Sequence, residues 1–177
     1  MVKKLSMFFA YVIFFILALM YFTPKVSLYY MLEKELTNYE VVLSDESVND
    51  SGFALHVESV NVYVKGIDSA NVESITLKVF GLYNSLVVEN IRLSSVASNF
   101  IPINISEVSI SYSIFDPLHV KISGSGGFGE ASGSVHVLDR ILNIKITPSN
   151  EMQKKYRNSI SKLTKNEDGS YSYVKTF

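Results

Sequence analysis

A chain of 177 residues with a formal net charge of -1 is long enough for one hydrophobic core of ordinary size and, once an apolar N-terminal segment is set aside, too short for two. Residues 1–25 carry Lys3, Lys4 and Lys25 and no acid; taking these three from the 16 basic residues leaves 13 against 17 acids, a mildly acidic remainder of net -4. Phosphate neutralisation needs a basic surface, so nucleic acid is not an expected partner, and with no cysteine the fold has neither disulfides nor thiolate metal sites.

From Leu5 to Phe22 the chain reads LSMFFAYVIFFILALMYF, 18 residues without a charge. As a helix this run spans about 27 Å, close to the hydrocarbon thickness of a bilayer, with Leu5, Phe8, Phe9, Val12, Phe15, Leu19 and Phe22 among the side chains that would anchor it. A signal peptide has a shorter apolar region and ends in a small-x-small cleavage site. Here the exit is Met20-Tyr21-Phe22, which suits an interfacial aromatic belt. Lys3 and Lys4 place the N-terminus in the cytoplasm under the positive-inside rule, with Lys25 partly opposing them. The expected organisation is a cytoplasmic tip and transmembrane anchor over 1–24, a juxtamembrane helix over 25–38 and a periplasmic β domain over 39–177, in a bacterial inner membrane.

Beyond Pro24, apolar residues at Leu28, Met31, Leu32 and Leu36 keep a helical spacing. The period then changes to two. In EVSISYSIF, Val108, Ile110, Tyr112 and Ile114 alternate with Glu107, Ser109, Ser111 and Ser113, as in a strand with one buried and one wet face. Similar alternation predicts strands at Phe53–Val60, Val60–Val64, Val72–Phe80, Leu86–Leu93, Leu118–Ile122, Gly133–Leu138 and Ile141–Thr147. Connections this short imply an antiparallel meander and not βαβ units, and the polar outward positions favour a curved sheet or half-barrel at least as much as a closed sandwich. Met152, Tyr156, Ile160 and Leu163 form one stripe of an amphipathic helix near 150–165, which either caps the sheet or reaches anionic headgroups with its basic face. Asp168-Gly169 is a turn signal before a last strand with Tyr171 and Tyr173 in alternation.

The chemistry-bearing motifs are weak. Gly124-Ser-Gly126-Gly127-Phe-Gly129 matches G-x-G-x-x-G, but dinucleotide binding needs a helix N-terminus after the glycines, and a strand-like run follows. These glycines are better read as letting strands bend or backbones approach closely. His56, His119 and His136 fall on three different strands at outward polar positions, without metal-ligand spacing. No G-x-S-x-G elbow marks a nucleophile. No enzyme activity, cofactor or metal is expected.

The C-terminal half, PLHVKISGSGGFGEASGSVHVLDRILNIKITPS followed by a basic helix and DGSYSY, resembles the Gly-rich strand-turn-strand pattern of the GspN component of type II secretion systems and of the broader AsmA-like envelope proteins. The single span followed by Thr23-Pro24 and a short helix is similar to their N-terminal layout. The resemblance implies an inner-membrane protein with a curved antiparallel periplasmic sheet, associated with an envelope machine or with lipid handling. It supplies no catalytic residues. The leading expectation is a structural subunit of such a machine, type II secretion-like or another assembly such as the flagellar motor, whose open edges recruit other envelope proteins or copies of itself. The alternative is lipid binding or short-range lipid transfer along the sheet. Ile110, Tyr112, Val120, Ile122, Tyr171 and Tyr173 are the candidate interaction or groove residues in either case.

Overall fold

The computed structural model describes residues 2–96, 101–102 and 104–177. Helix α1 covers Val2–Phe22 and, after Pro24, helix α2 covers Lys25–Thr37. Strands follow at β1 Val41–Ser44, β2 Ser47–Asp50, β3 Leu55–Val64, β4 Ile67–Val79, β5 Tyr83–Leu93, β6 Asn104–Ser113, β7 Asp116–Gly126, β8 Gly129–His136 and β9 Ile141–Pro148. Helices α3 Asn150–Lys155 and α4 Arg157–Ile160 come next, then β10 Thr164–Lys165 and β11 Tyr171–Thr176. All strands pair antiparallel in one sheet ordered β1-β3-β4-β5-β6-β7-β8-β9-β11-β10, with β2 pairing the other half of β3. The protein is mainly β, a long antiparallel meander behind an apolar helix, as the alternation predicts.

Two predicted strands meeting at Val60 are one continuous strand, β3. The reason is a change of phase inside it: Leu55 and Val57, then Val60 and Val62, all lie on the apolar face, because Glu58 and Ser59 are both exposed between them. The same step recurs at Glu73-Ser74 in β4, Glu89-Asn90 in β5 and Ser106-Glu107 in β6. Pairing of Glu58 with Ser74, Ser74 with Glu89 and Glu89 with Glu107 puts the four steps on one line across the sheet. Ser59 and Asn90 adopt left-handed backbone there, with φ of 59° and 53°. A uniform period of two would turn every apolar side chain beyond this line to the wet face; the aligned steps reset the phase in all four strands together.

Among the described residues, the main core cluster lies in the N-terminal part of the sheet. Tyr29 of α2 packs with Leu55, Val57, Val60, Val72, Ile75 and Leu77, flanked by Val26, Leu28, Leu43, Val48, Leu86, Val88 and Ile91. Leu55, Val57 and Val60 are wholly buried, each contributing about 1.5–3 kcal/mol relative to exposure. The Tyr29 hydroxyl has no hydrogen-bond partner among the described residues, and burial first, then Glu46 and Glu33, pushes its ionisation well above the ordinary tyrosine range.

The amphipathic segment predicted near 150–165 is two short helices, broken at Tyr156 (φ -114°, ψ 30°). Ser149 caps the first, its Oγ accepting from the Met152 amide at 3.1 Å while donating to the Gly127 carbonyl at 2.6 Å. Met152 and Ile160 of the predicted stripe are buried. These helices sit at the end of the sheet where β9 finishes, beside the β7–β8 turn, whereas α1 joins at the opposite end. A strand of eight to ten residues is about 30 Å long, which separates this basic helical pair from α1.

Candidate interaction face

The meander's register brings the candidate residues together on one face. Ile110 lies opposite Leu86 on one side and Ile122 on the other, and Tyr112 opposite Val120. The row continues through Val135 and Leu142, while Ile144 and Ile146 face Tyr173 and Tyr171. Ile110, Tyr112, Val120, Ile122 and Tyr171 are half-buried, and Tyr173 is exposed. Ile114 and Leu118, expected on the same surface, lie at its border by the β6–β7 turn and are exposed. Helix α2 packs on β1, β2 and β4, and α3 on β9; the core built under α2 ends at β5. Among the described residues, the apolar face from β6 to β9 therefore carries no comparable second layer. The accessible surface of 12048 Å² fits this, since a compact monomer of this size exposes about 8,600 Å², with the lone α1 helix accounting for part of the excess.

Small residues shape the middle of this face: Ile122 faces Gly133, and Gly124 faces Ala131. A Cβ at Gly126 would fall 2.7 Å from the Ile105 Cα, so the close backbone approach expected of these glycines is present. Phe128, at the β7–β8 turn, lies over Gly124, 3.7 Å from the position of a Cβ there. Strand β8 begins at Gly129, so the glycine motif leads into a strand and not into a helix.

The C-terminal edge is partly open. β10 pairs only with Tyr171 and Ser172 of β11, leaving Tyr173 to Thr176 at the border of the sheet. Lys145 of β9 donates to Asp168 at 2.6 Å, and the Ser170 amide and hydroxyl also donate to Asp168. These bonds, Lys145 first, hold the Asp168 carboxyl well below the ordinary range. They fix the turn that delivers β11.

The opposite face is polar. His119 and His136 are cross-strand partners, with rings 4.9 Å apart. His119 Nδ1 lies 2.7 Å from Asp116 and His136 Nδ1 lies 3.0 Å from Asp139, and the His119 hydrogen bond lowers the Asp116 pKa. The two histidines lie on separate strands, and the β7–β8 register brings them together. Among the described residues no group of three His, Asp or Glu is placed to hold a metal. A shallow depression of about 310 Å³ lies between Glu107, Ser123, Ser125, Glu130, Ser132 and Thr147, walled by hydroxyls and two carboxylates.

At the α1 end, Lys25 is fully buried. Its Nζ donates to the carbonyls of Tyr21 (3.3 Å) and Thr23 (3.1 Å) and lies 3.7 Å from Asp50, so a cation meets the negative end of α1. The Tyr21 ring packs edge-on against Phe53 at 5.6 Å and covers Gly52. Residues Lys3–Phe22 are long and apolar enough to cross a bilayer or to act as a signal sequence, and that stretch is unburied. Leu5, Phe8, Phe9, Val12, Phe15, Leu19 and Phe22 all project from it; of these, Phe22 is 79% exposed. No family model matches the chain, and no curated protein or solved structure matches it.

Proposed function

We propose that this is a non-enzymatic, membrane-anchored structural subunit of a bacterial envelope assembly, held by α1 as an uncleaved single span with its β domain in the periplasm. The observation that carries this is the unfinished sheet: among the described residues, half of its apolar face lacks a packed layer and the outer side of Tyr173–Thr176 has no strand partner. Large uncovered apolar faces and free edges mark sites of association, and strand addition to an edge is a common mode of protein recruitment.

Retention of α1 is supported by the way its last turn is built into the domain, with Tyr21 over Gly52 and Lys25 buried beneath it. Lys25 is compensated internally by Asp50, so it weighs little against Lys3 and Lys4 in setting orientation. The resemblance to GspN suggests a type II secretion-like machine, and a motor-type assembly would use the same features.

A second reading, lipid binding or short-range lipid transfer, is favoured by the apolar face itself, whose row Ile110, Ile122, Ile144 is notched by the small Gly133 between Ile122 and Ile144. In-cell photo-crosslinking from Ile110, Val120 and Tyr173, read by mass spectrometry, separates the two. Discrete protein adducts, chiefly from Tyr173, support the structural subunit. Lipid adducts from Ile110 and Val120 without protein adducts replace it with lipid handling.

A further inference from the structure

Turns of a meander alternate between the two ends of its sheet, and in this chain their chemistry alternates as well. The end at which α1 enters carries the β2–β3 turn with Phe53, the β4–β5 turn with Leu82 and Tyr83, the β6–β7 turn with Ile114 and Phe115, the β8–β9 turn with Val137 and Leu138, and the terminal Phe177. All are exposed, Phe115 by 88% and Leu138 by 72%. Backbone bonds tie neighbouring tips together: Ile114 donates to Leu82 at 3.0 Å, Val137 to Leu118 at 2.9 Å and Phe177 to Arg140 at 3.1 Å. The result is a row across the strands from β3 to β11, about 35 Å wide at the usual strand spacing.

The opposite end is different. Its β3–β4 turn is Lys65-Gly66, and the apolar ring of the β7–β8 turn, Phe128, folds back over Gly124 instead of pointing outward. Among the described residues there, Tyr39, Val64, Ile67 and Val96 are exposed, interspersed with Glu40, Lys65 and Asp68. Among the described residues, every turn at the end that bears α1 presents an exposed apolar side chain.

From this we infer that the hairpin tips of β4–β5, β6–β7 and β8–β9, with Phe53 and Phe177, form a membrane-dipping rim that rests in the interfacial layer of the same bilayer that α1 crosses. The occupant is a lipid surface because the rim is continuous with the anchor: Ile16, Leu19 and Met20 of α1 share a depression with Phe80, Gly81 and Leu82, and Tyr21 packs edge-on against Phe53. Aromatic and aliphatic side chains at that depth are the chemistry of an interfacial belt. The rim holds the sheet upright, with its uncovered apolar face opening onto the membrane at one end. The inference rests on α1 being a membrane anchor.

The chain has no tryptophan, so single tryptophans report position directly. Full-length Phe14→Trp, Phe115→Trp, Leu138→Trp and Ile67→Trp proteins, each in phosphatidylethanolamine–phosphatidylglycerol vesicles containing lipids brominated high on the acyl chain, are compared by emission. Expected are a blue shift and strong quenching at positions 14, 115 and 138, and neither at 67. Quenching at 14 with none at 115 and 138 overturns the rim and leaves the anchor. Equal quenching at 67, 115 and 138 means the domain lies flat and also overturns it. No quenching at 14 overturns the anchor and the rim together.

Discussion

Leu55→Ala and Ile122→Ala form a pair that tests whether the apolar face is covered at one end and open at the other. Leu55 is wholly buried, faces Leu77 across the strand pair and sits under α2. Truncation there removes buried carbons and leaves a closed cavity, at a cost of about 3 kcal/mol within a range of roughly 2–5. Ile122 is half-buried, between Ile110 and the side-chain-free Gly133, on the part of the sheet outside the core cluster. Its truncation leaves a notch open to solvent and forfeits only part of a side chain's transfer energy, about 1 kcal/mol. The expected gap is about 2 kcal/mol, or roughly thirty-fold in the folding equilibrium constant. Urea titrations of the full-length variants in one detergent, followed by far-ultraviolet circular dichroism, read it. A loss of 2 kcal/mol or more for Ile122→Ala, with an unchanged denaturant slope, would refute the open-face reading, because such a loss requires a packed layer above the isoleucine.

Gly66 and Gly52 both adopt left-handed backbone, but Gly66 has open space around it while Gly52 lies under the Tyr21 ring. Gly66→Ala should cost about 1 kcal/mol from the backbone alone, and Gly52→Ala clearly more; in a Tyr21→Ala background the two should become equal by thermal unfolding, and persistence of the gap would show that the helix end does not touch that turn. Tyr29→Phe removes a buried hydroxyl that has no partner among the described residues, so it should be neutral or stabilise by up to about 1 kcal/mol in urea titration; a clear destabilisation would reveal a partner for that hydroxyl. Asp168 has a folded-state pKa lowered by Lys145 and Ser170. Its contribution is therefore present above the unfolded value of about 3.9 and is lost as pH falls through the lower folded value. Asp168→Asn should lower the urea midpoint at neutral pH and converge with the parent protein in strong acid, whereas a constant offset at all pH values would show that charge is not what holds the β11 turn.

Much of the fold is legible locally. The charge-free run to Phe22 and the period of two in segments such as Val108–Ile114 identify the apolar helix and the strands, because helix and strand place side chains with different periods. Short β1, β2 and β10 were not foreseen, since four or fewer residues carry too little periodicity. The break at Val60 suggested two strands because a phase reset looks like an end when only one segment is read. Its recurrence at Glu73-Ser74, Glu89-Asn90 and Ser106-Glu107 was nevertheless written in the sequence, as were the apolar residues of turns such as Ile114-Phe115 and Val137-Leu138.

Other features needed the assembled chain. The burial of Lys25 and the pairing of His119 with His136 depend on partners brought close by register or by packing. Whether Ile110 and Ile122 form a core or an open face depends on which strands α2 can reach, and α2 ends at Thr37 after covering only the first strands. Thus the sequence by itself determined the apolar helix, the strands and the apolar identity of one sheet face, because periodicity is a local property. Only the tertiary structure decided where that face is covered and that the apolar turns lie beside the apolar helix, because coverage is a relation between residues distant in the chain.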